Sequence, residues 1–158
     1  MTPDAVKQIV EASGGNITGK TRLQKTAYLL ETGGIGFGFE FGYHYYGPYS
    51  EELATAAQDA RALGLIDARS ESGKSGLIYG LPEGAEQAAK DAAFSKRQHF
   101  LAKLAAYDTT ILELAATADF LAKNGFKSDP WAETKRRKSI KATEERITKA
   151  KRLLADLF

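Results

Sequence analysis

Apolar positions recur every three or four residues through most of this chain and alternate strictly in only one stretch. Ala5, Val6, Ile9 and Val10 share one face of a short amphipathic helix that Ser13-Gly14-Gly15 is placed to end. A second helix is predicted from Lys20 to Glu31, with Leu23, Ala27 and Leu30 inward and Lys20, Arg22, Gln24 and Lys25 largely on other faces. The stretch Gly33-Gly34-Ile35-Gly36-Phe37-Gly38-Phe39 is too rich in glycine for a helix interior and reads as irregular or strand edge. Phe37, Phe39, Phe41, Tyr43 and Tyr45 then alternate, the period of a strand with one aromatic face, and Gly47-Pro48 is expected to end it. Ser50 is a natural N-cap for a third helix, with Glu51 and Glu52 at the positive end of its dipole. Its buried face is expected to hold Leu53, Ala56, Ala57, Ala60 and Leu63, with Gly64 closing it.

Two β-like runs, Leu65-Ile66-Asp67-Ala68-Arg69 and Leu77-Ile78-Tyr79-Gly80-Leu81, flank a polar glycine- and serine-rich segment and predict a hairpin. After Pro82-Glu83-Gly84 the pattern is helical to the end. Ala85, Ala88, Ala89 and Ala92 form a small-residue face, and a helix from Asp108 through Ile111, Leu114, Ala115, Ala118 and Leu121 is closed by Gly125. Asp129-Pro130 opens a short basic helix at Trp131, and a last helix after Thr143 is expected to bury Ile147, Ala150, Leu154 and Leu157. Three helices followed by a hairpin read as a winged helix. The expected fold is therefore mainly α (α+β): a winged-helix-like core over residues 1–93 with a small β-hairpin wing, and a C-terminal helical extension over 94–158 packed on it as one structural domain.

Composition narrows the chemistry. The chain has no cysteine, which removes disulfides and thiolate metal sites, and only His44 and His99 as imidazoles, which argues against a zinc or histidine-based centre. No apolar run approaches the roughly 20 residues of a membrane helix, and the start lacks the pattern of a secretory signal, so a soluble, cytoplasmic protein is expected. Net charge is +2 but uneven: residues 33–64 hold Glu40, Glu51, Glu52 and Asp59 against Arg61, whereas residues 135–152 hold nine basic residues against Glu144 and Glu145.

No motif assembles a catalytic constellation. Gly14-Gly15-Asn16-Ile17-Thr18-Gly19-Lys20-Thr21 has the spacing of a phosphate-binding P-loop, but an amphipathic helix precedes it where a buried parallel strand is required. Glu51 and Glu52 are adjacent on a helix, point about 100° apart and cannot face one scissile bond. Ser75, in a polar turn, falls one residue short of nucleophile-elbow spacing, and His44 and His99 stand alone. What remains is recognition. Tyrosines 43, 45, 46 and 49 crowd the Gly-Pro segment, one pair packing inward while Tyr46 or Tyr49 offers a ring at the surface. Lys135-Arg136-Arg137-Lys138, with Lys141 beyond, is the strong electrostatic feature, suited either to phosphates or to an acidic protein. The third helix, with Glu51, Glu52 and Asp59 against a lone Arg61, is poorly charged for a DNA reader.

Lys20-Thr21-Arg22-Leu23-Gln24-Lys25 with Tyr28-Leu29-Leu30, then Tyr46-Gly47-Pro48-Tyr49-Ser50-Glu51-Glu52-Leu53, then Leu63-Gly64-Leu65-Ile66 resemble the bacterial YwgA-like proteins. The resemblance continues through Leu112-Glu113-Leu114-Ala115-Ala116-Thr117 and through Glu133 with Lys135 to Lys138, and departs from the pattern at Ser139, where a proline is expected. It implies a winged-helix-like core with C-terminal helices and no established enzymatic role. More distantly the chain resembles the Panacea domain of phage-associated and toxin-antitoxin proteins, a likeness of fold alone. The expected function is a non-enzymatic, protein-binding regulatory module of antitoxin-like or phage-related kind, without a cofactor or metal. Its partner would be met by Tyr46, Pro48, Tyr49, Lys20, Arg22 and Lys25. The alternative is a DNA-binding winged-helix regulator using Lys135, Arg136, Arg137, Lys138 and Lys141.

Overall fold

A computed structural model describes residues 2–70, 76–85 and 91–158. In chain order the elements are α1 (Thr2–Ala12), β1 (Asn16–Thr18), α2 (Lys20–Thr32), β2 (Gly42–His44), β3 (Gly47–Tyr49), α3 (Glu51–Ala62), β4 (Asp67–Ser70), β5 (Leu77–Gly80), α4 (Ala92–Leu104), α5 (Thr109–Lys123), α6 (Pro130–Arg137) and α7 (Glu144–Leu157). The fold is mainly α with two small antiparallel sheets, as the periodicity predicts. One sheet runs in the order β1-β5-β4, so the short strand between the first two helices closes the edge of the later hairpin. The other is the two-stranded ribbon β2-β3.

Caps form where the sequence places them. Ser50 accepts from Leu53 N–H at 3.1 Å, Asp108 from Ile111 N–H at 3.1 Å, Asp129 from Ala132 N–H at 3.0 Å and Thr143 from Arg146 N–H at 3.3 Å. Val6, Ile9, Leu29, Leu30, Leu53, Leu112 and Leu114 are fully enclosed in a core that α1, α2, α3 and α5 share. Two helix faces differ in detail from the periodic reading. Leu63 is exposed because the chain leaves α3 at that residue, and in α7 Leu153 is buried while Leu154 and Leu157 are only partly covered. Ala88 and Ala89, expected on a small-residue face, lie outside the described residues, as does Ser75.

The larger correction concerns the aromatic strand. Residues 37–41 are not a strand, although Phe37, Phe39 and Phe41 alternate. The Glu31 carboxylate at the end of α2 accepts from the backbone N–H groups of Phe37, Gly38 and Phe39 at 2.7, 2.6 and 3.0 Å, curling the segment around one oxygen where a ladder would have paired it. A side chain at Gly36 would run into that carboxylate, so the glycine is what lets the loop close on it. Nor does Gly47-Pro48 end the strand: the turn falls at Tyr45-Tyr46, and Gly47–Tyr49 is the return strand, with Pro48 opposite Tyr43. Proline is tolerated there because a two-stranded ribbon is all edge and needs no donor from it.

Candidate functional site

The ribbon β2-β3 sits on α2 and α5, and the residues that fix it come from α2, α5 and the end of α6. Gln24, buried in α2, holds Ser50 from both sides of the peptide: its Nε2 donates to Ser50 O at 3.0 Å and its Oε1 accepts from Ser50 N–H at 2.8 Å. One residue on, the enclosed Lys25 donates from Nζ to Pro48 O at 2.6 Å. Gly47 lies against Thr117 of α5, adopts φ +89° and would drive a Cβ into the threonine hydroxyl, so only glycine fits on both counts. Lys138, at the C-cap of α6, donates to Tyr45 O and is itself buried. The runs Lys20 to Lys25, Tyr46 to Leu53, Leu112 to Thr117 and Lys135 to Lys138 thus meet around one corner of the molecule.

Beneath that corner lies a charged cluster. Glu113, 3% exposed, stands 3.3 Å from Lys138 Nζ and 3.0 and 3.1 Å from Lys141 Nζ through its two oxygens. Burial first, and then the nearby ammoniums of Lys138 and Lys141, pull Lys25 down to about 8, while the Glu113 carboxylate opposes the drop. Lys138 is lowered too, chiefly by burial. A carboxylate within the apolar run Ile111-Leu112-Glu113-Leu114 is the sequence sign of such a buried ion, because it survives there only when paired.

The other basic residues of α6, and Arg22 of α2, have partners as well. Glu133 takes Arg136 at 2.5 Å and Arg137 at 2.6 Å, and these bonds hold its carboxyl at about 2. Lys135 pairs with Glu144 at 2.8 Å. Arg137 also lies over the Tyr43 ring at 4.7 Å. Arg22 reaches the end of α4, donating to Leu104 O at 2.9 Å and Tyr107 O at 3.0 Å, where a cation complements the helix terminus. Lys20, exposed at the start of α2, is left toward solvent beside a cavity of about 430 Å³ that Tyr46 and Tyr49 also line.

The tip of the ribbon is the exposed part. Tyr45 is 94% and Tyr46 55% exposed: Tyr46 offers its ring at the surface, but Tyr45, alternating with Tyr43, does not share an inward face with it, because Tyr45 occupies the turn, while Tyr43 packs on Phe120 and Tyr49 stacks on His44 at 4.6 Å. Lys141 sits over the Tyr46 ring at 4.7 Å. Ile140, next to it on the α6–α7 connection, is 90% exposed; nothing in the spacing of its neighbours singled it out. The segment Gly14 to Thr21 is used by the sheet: Asn16–Thr18 pairs antiparallel with β5, and Gly19 N–H donates to Leu77 O at 2.7 Å before α2 begins at Lys20. Among the described residues no group of histidine, aspartate and glutamate side chains is arranged to hold a metal, and no helix is long and apolar enough to cross a membrane.

No protein-family model matches the chain. It is similar to the uncharacterised protein YwgA of Bacillus subtilis, at 35% identity over 57 residues. That stretch is 36% of this chain and 34% of the Bacillus protein, so the chain spans about a third of the relative it matches.

Proposed function

We propose that this chain is a YwgA-like, protein-binding regulatory module without chemistry of its own, and that it meets its partner at the tip of β2-β3 and the adjoining α6–α7 connection. One observation carries the reading. Among the described residues five large apolar side chains are exposed, and three of them are Tyr45 and Tyr46 at the ribbon tip and Ile140, which lies in the chain between the two lysines that reach that tip. Tyrosine combines a large contact area with a polar tip, and such rings are the common anchors of protein interfaces. Lys138 holds the Tyr45 backbone and Lys141 lies over the Tyr46 ring, so the turn that carries the two rings is fixed before a partner arrives. An antitoxin-like or phage-related setting follows only from the more distant Panacea resemblance.

A photoreactive phenylalanine analogue at position 45 in the native cell tests it. A discrete protein adduct is expected there and not from position 95 on α4, and it should vanish when Tyr46→Ser and Ile140→Ser are combined. Adducts equal at both positions, or none at either, would refute the reading.

The second reading is a DNA-binding winged-helix regulator. In its favour is the element order: three helices, an intervening short strand, and a hairpin whose second strand pairs with it. Against it, Glu133 and Glu144 take up the charge of Lys135, Arg136 and Arg137, and Glu113 that of Lys138 and Lys141. Gel shifts across salt separate the two, since DNA binding through α6 predicts a steep salt slope that flattens in Arg136→Ala/Arg137→Ala.

A further inference from the structure

On the other side of the ribbon, the cavity between α2, α3 and β5 has the make-up of a ligand site. At about 430 Å³ it falls within the usual range for small-molecule pockets, about 300–1,000 Å³. Leu23, Ala57 and Leu77 give it an apolar floor, and the rings of Tyr46, Tyr49 and Tyr79 stand along its walls. Its charge has one sign. Lys20 and Arg61 line it from α2 and α3 and Lys25 from below, and no carboxylate among the described residues joins the lining. Nor does any described carboxylate come within ion-pair distance of Lys20 or Arg61, in contrast to the cations of α6.

We infer that this cavity binds a small aromatic carboxylate. A flat apolar body would lie on the floor between the tyrosine rings, which favour stacked or edge-on aromatic neighbours. The carboxylate would face Lys20 and Arg61, and arginine is suited to grip it through two parallel N–H bonds. Polar side chains at Gln58 and Thr21 also border the space and can orient a ligand without demanding a charge of either sign. A neutral aromatic would gain the floor and walls but leave the two cations without a counterion. The inference does not depend on protein docking at Tyr45: that reading is decided by crosslinking at the tip, this one by a titration with no second protein present.

The titration uses 2-naphthoate and its neutral counterpart 2-naphthylmethanol, followed by isothermal calorimetry on the full chain. Saturable one-to-one binding of the carboxylate is expected, about tenfold or more tighter than the alcohol and weakening with salt. Lys20→Glu/Arg61→Glu, both at exposed positions, should lower naphthoate affinity at least about tenfold with near-ultraviolet circular dichroism unchanged. Ala54→Phe, which fills the cavity from a half-buried site on α3, should abolish binding of both compounds. Absence of saturable heat at millimolar naphthoate, equal affinity for the alcohol, or undiminished binding in the charge-reversed protein would each overturn the assignment.

Discussion

Two carboxylates hold four basic residues of the C-terminal third, Arg136, Arg137, Lys138 and Lys141, and they do so in different surroundings. Glu113 lies in the interior under the β2-β3 ribbon, pairs with Lys138 and Lys141 and lies within electrostatic reach of Lys25. Glu133, one helix away on α6, binds Arg136 and Arg137 at the surface. Lys138 is buried and Arg136 exposed although they are only two positions apart, because successive positions on a helix turn by about 100°. A run of like charges in a sequence is therefore not yet a patch: here it divides into a brace for the ribbon and a solvated helix face. The brace holds Lys138 and Glu113 out of water, where each depends on the other, while on the helix face Arg136 keeps water as an alternative partner.

Removing the carboxylates one at a time should separate the two regions most sharply. Glu113→Gln leaves buried ammoniums without their counterion and is expected to cost about 3–5 kcal/mol in urea denaturation. Glu133→Gln should cost clearly less, because its partner Arg136 is exposed and keeps water as an alternative partner. If the two substitutions cost the same, the distinction between brace and surface fails.

Titration offers a second contrast. In the folded chain Lys25 sits at about 8 against an ordinary 10.5, so between those pH values the unfolded chain holds a proton that the folded one has released. Stability should rise with pH across that window, by on the order of 2 kcal/mol relative to Lys25→Met, and the lowered Lys138 adds in the same direction. Glu133, held at about 2 against 4.5, works the other way: its contribution is complete above the ordinary carboxylate value and fades as pH falls toward 2. Paired denaturation curves at pH 8 and 10 and at pH 5 and 3 would show both signs.

A smaller effect tests the seat of the ribbon. Gly47→Ala combines a left-handed backbone with a clash on the Thr117 hydroxyl and should cost about 1–3 kcal/mol, of which Thr117→Ala restores the steric part. If the double variant is no more stable than Gly47→Ala alone, α5 is not what the glycine accommodates.

Much of this was legible in the chain. Helix faces, caps and the hairpin at residues 65–81 follow from local pattern, since each depends on residues a few positions apart. The segment 37–41 departs from the strand its aromatic alternation predicts because one group outside it, the Glu31 carboxylate, collects the N–H groups that a ladder would have used. The candidate residues Arg22, Lys25, Lys138 and Lys141 stand out as charges in the sequence, but their interior partners are backbone carbonyls and one carboxylate from elements far away in the chain. Neither spacing nor composition encodes that geometry. Tyr46 and Tyr49 line a cavity that no local pattern outlines.

The double-mutant cycle between Glu113→Gln and Lys138→Met tests the brace most directly. A coupling energy of about 1.5 kcal/mol or more, with the double variant recovering part of what the single Glu113 change loses, is the result expected of a desolvated pair. Additivity within about 0.3–0.5 kcal/mol would mean that the two side chains do not act on each other, and that the ribbon is held without them.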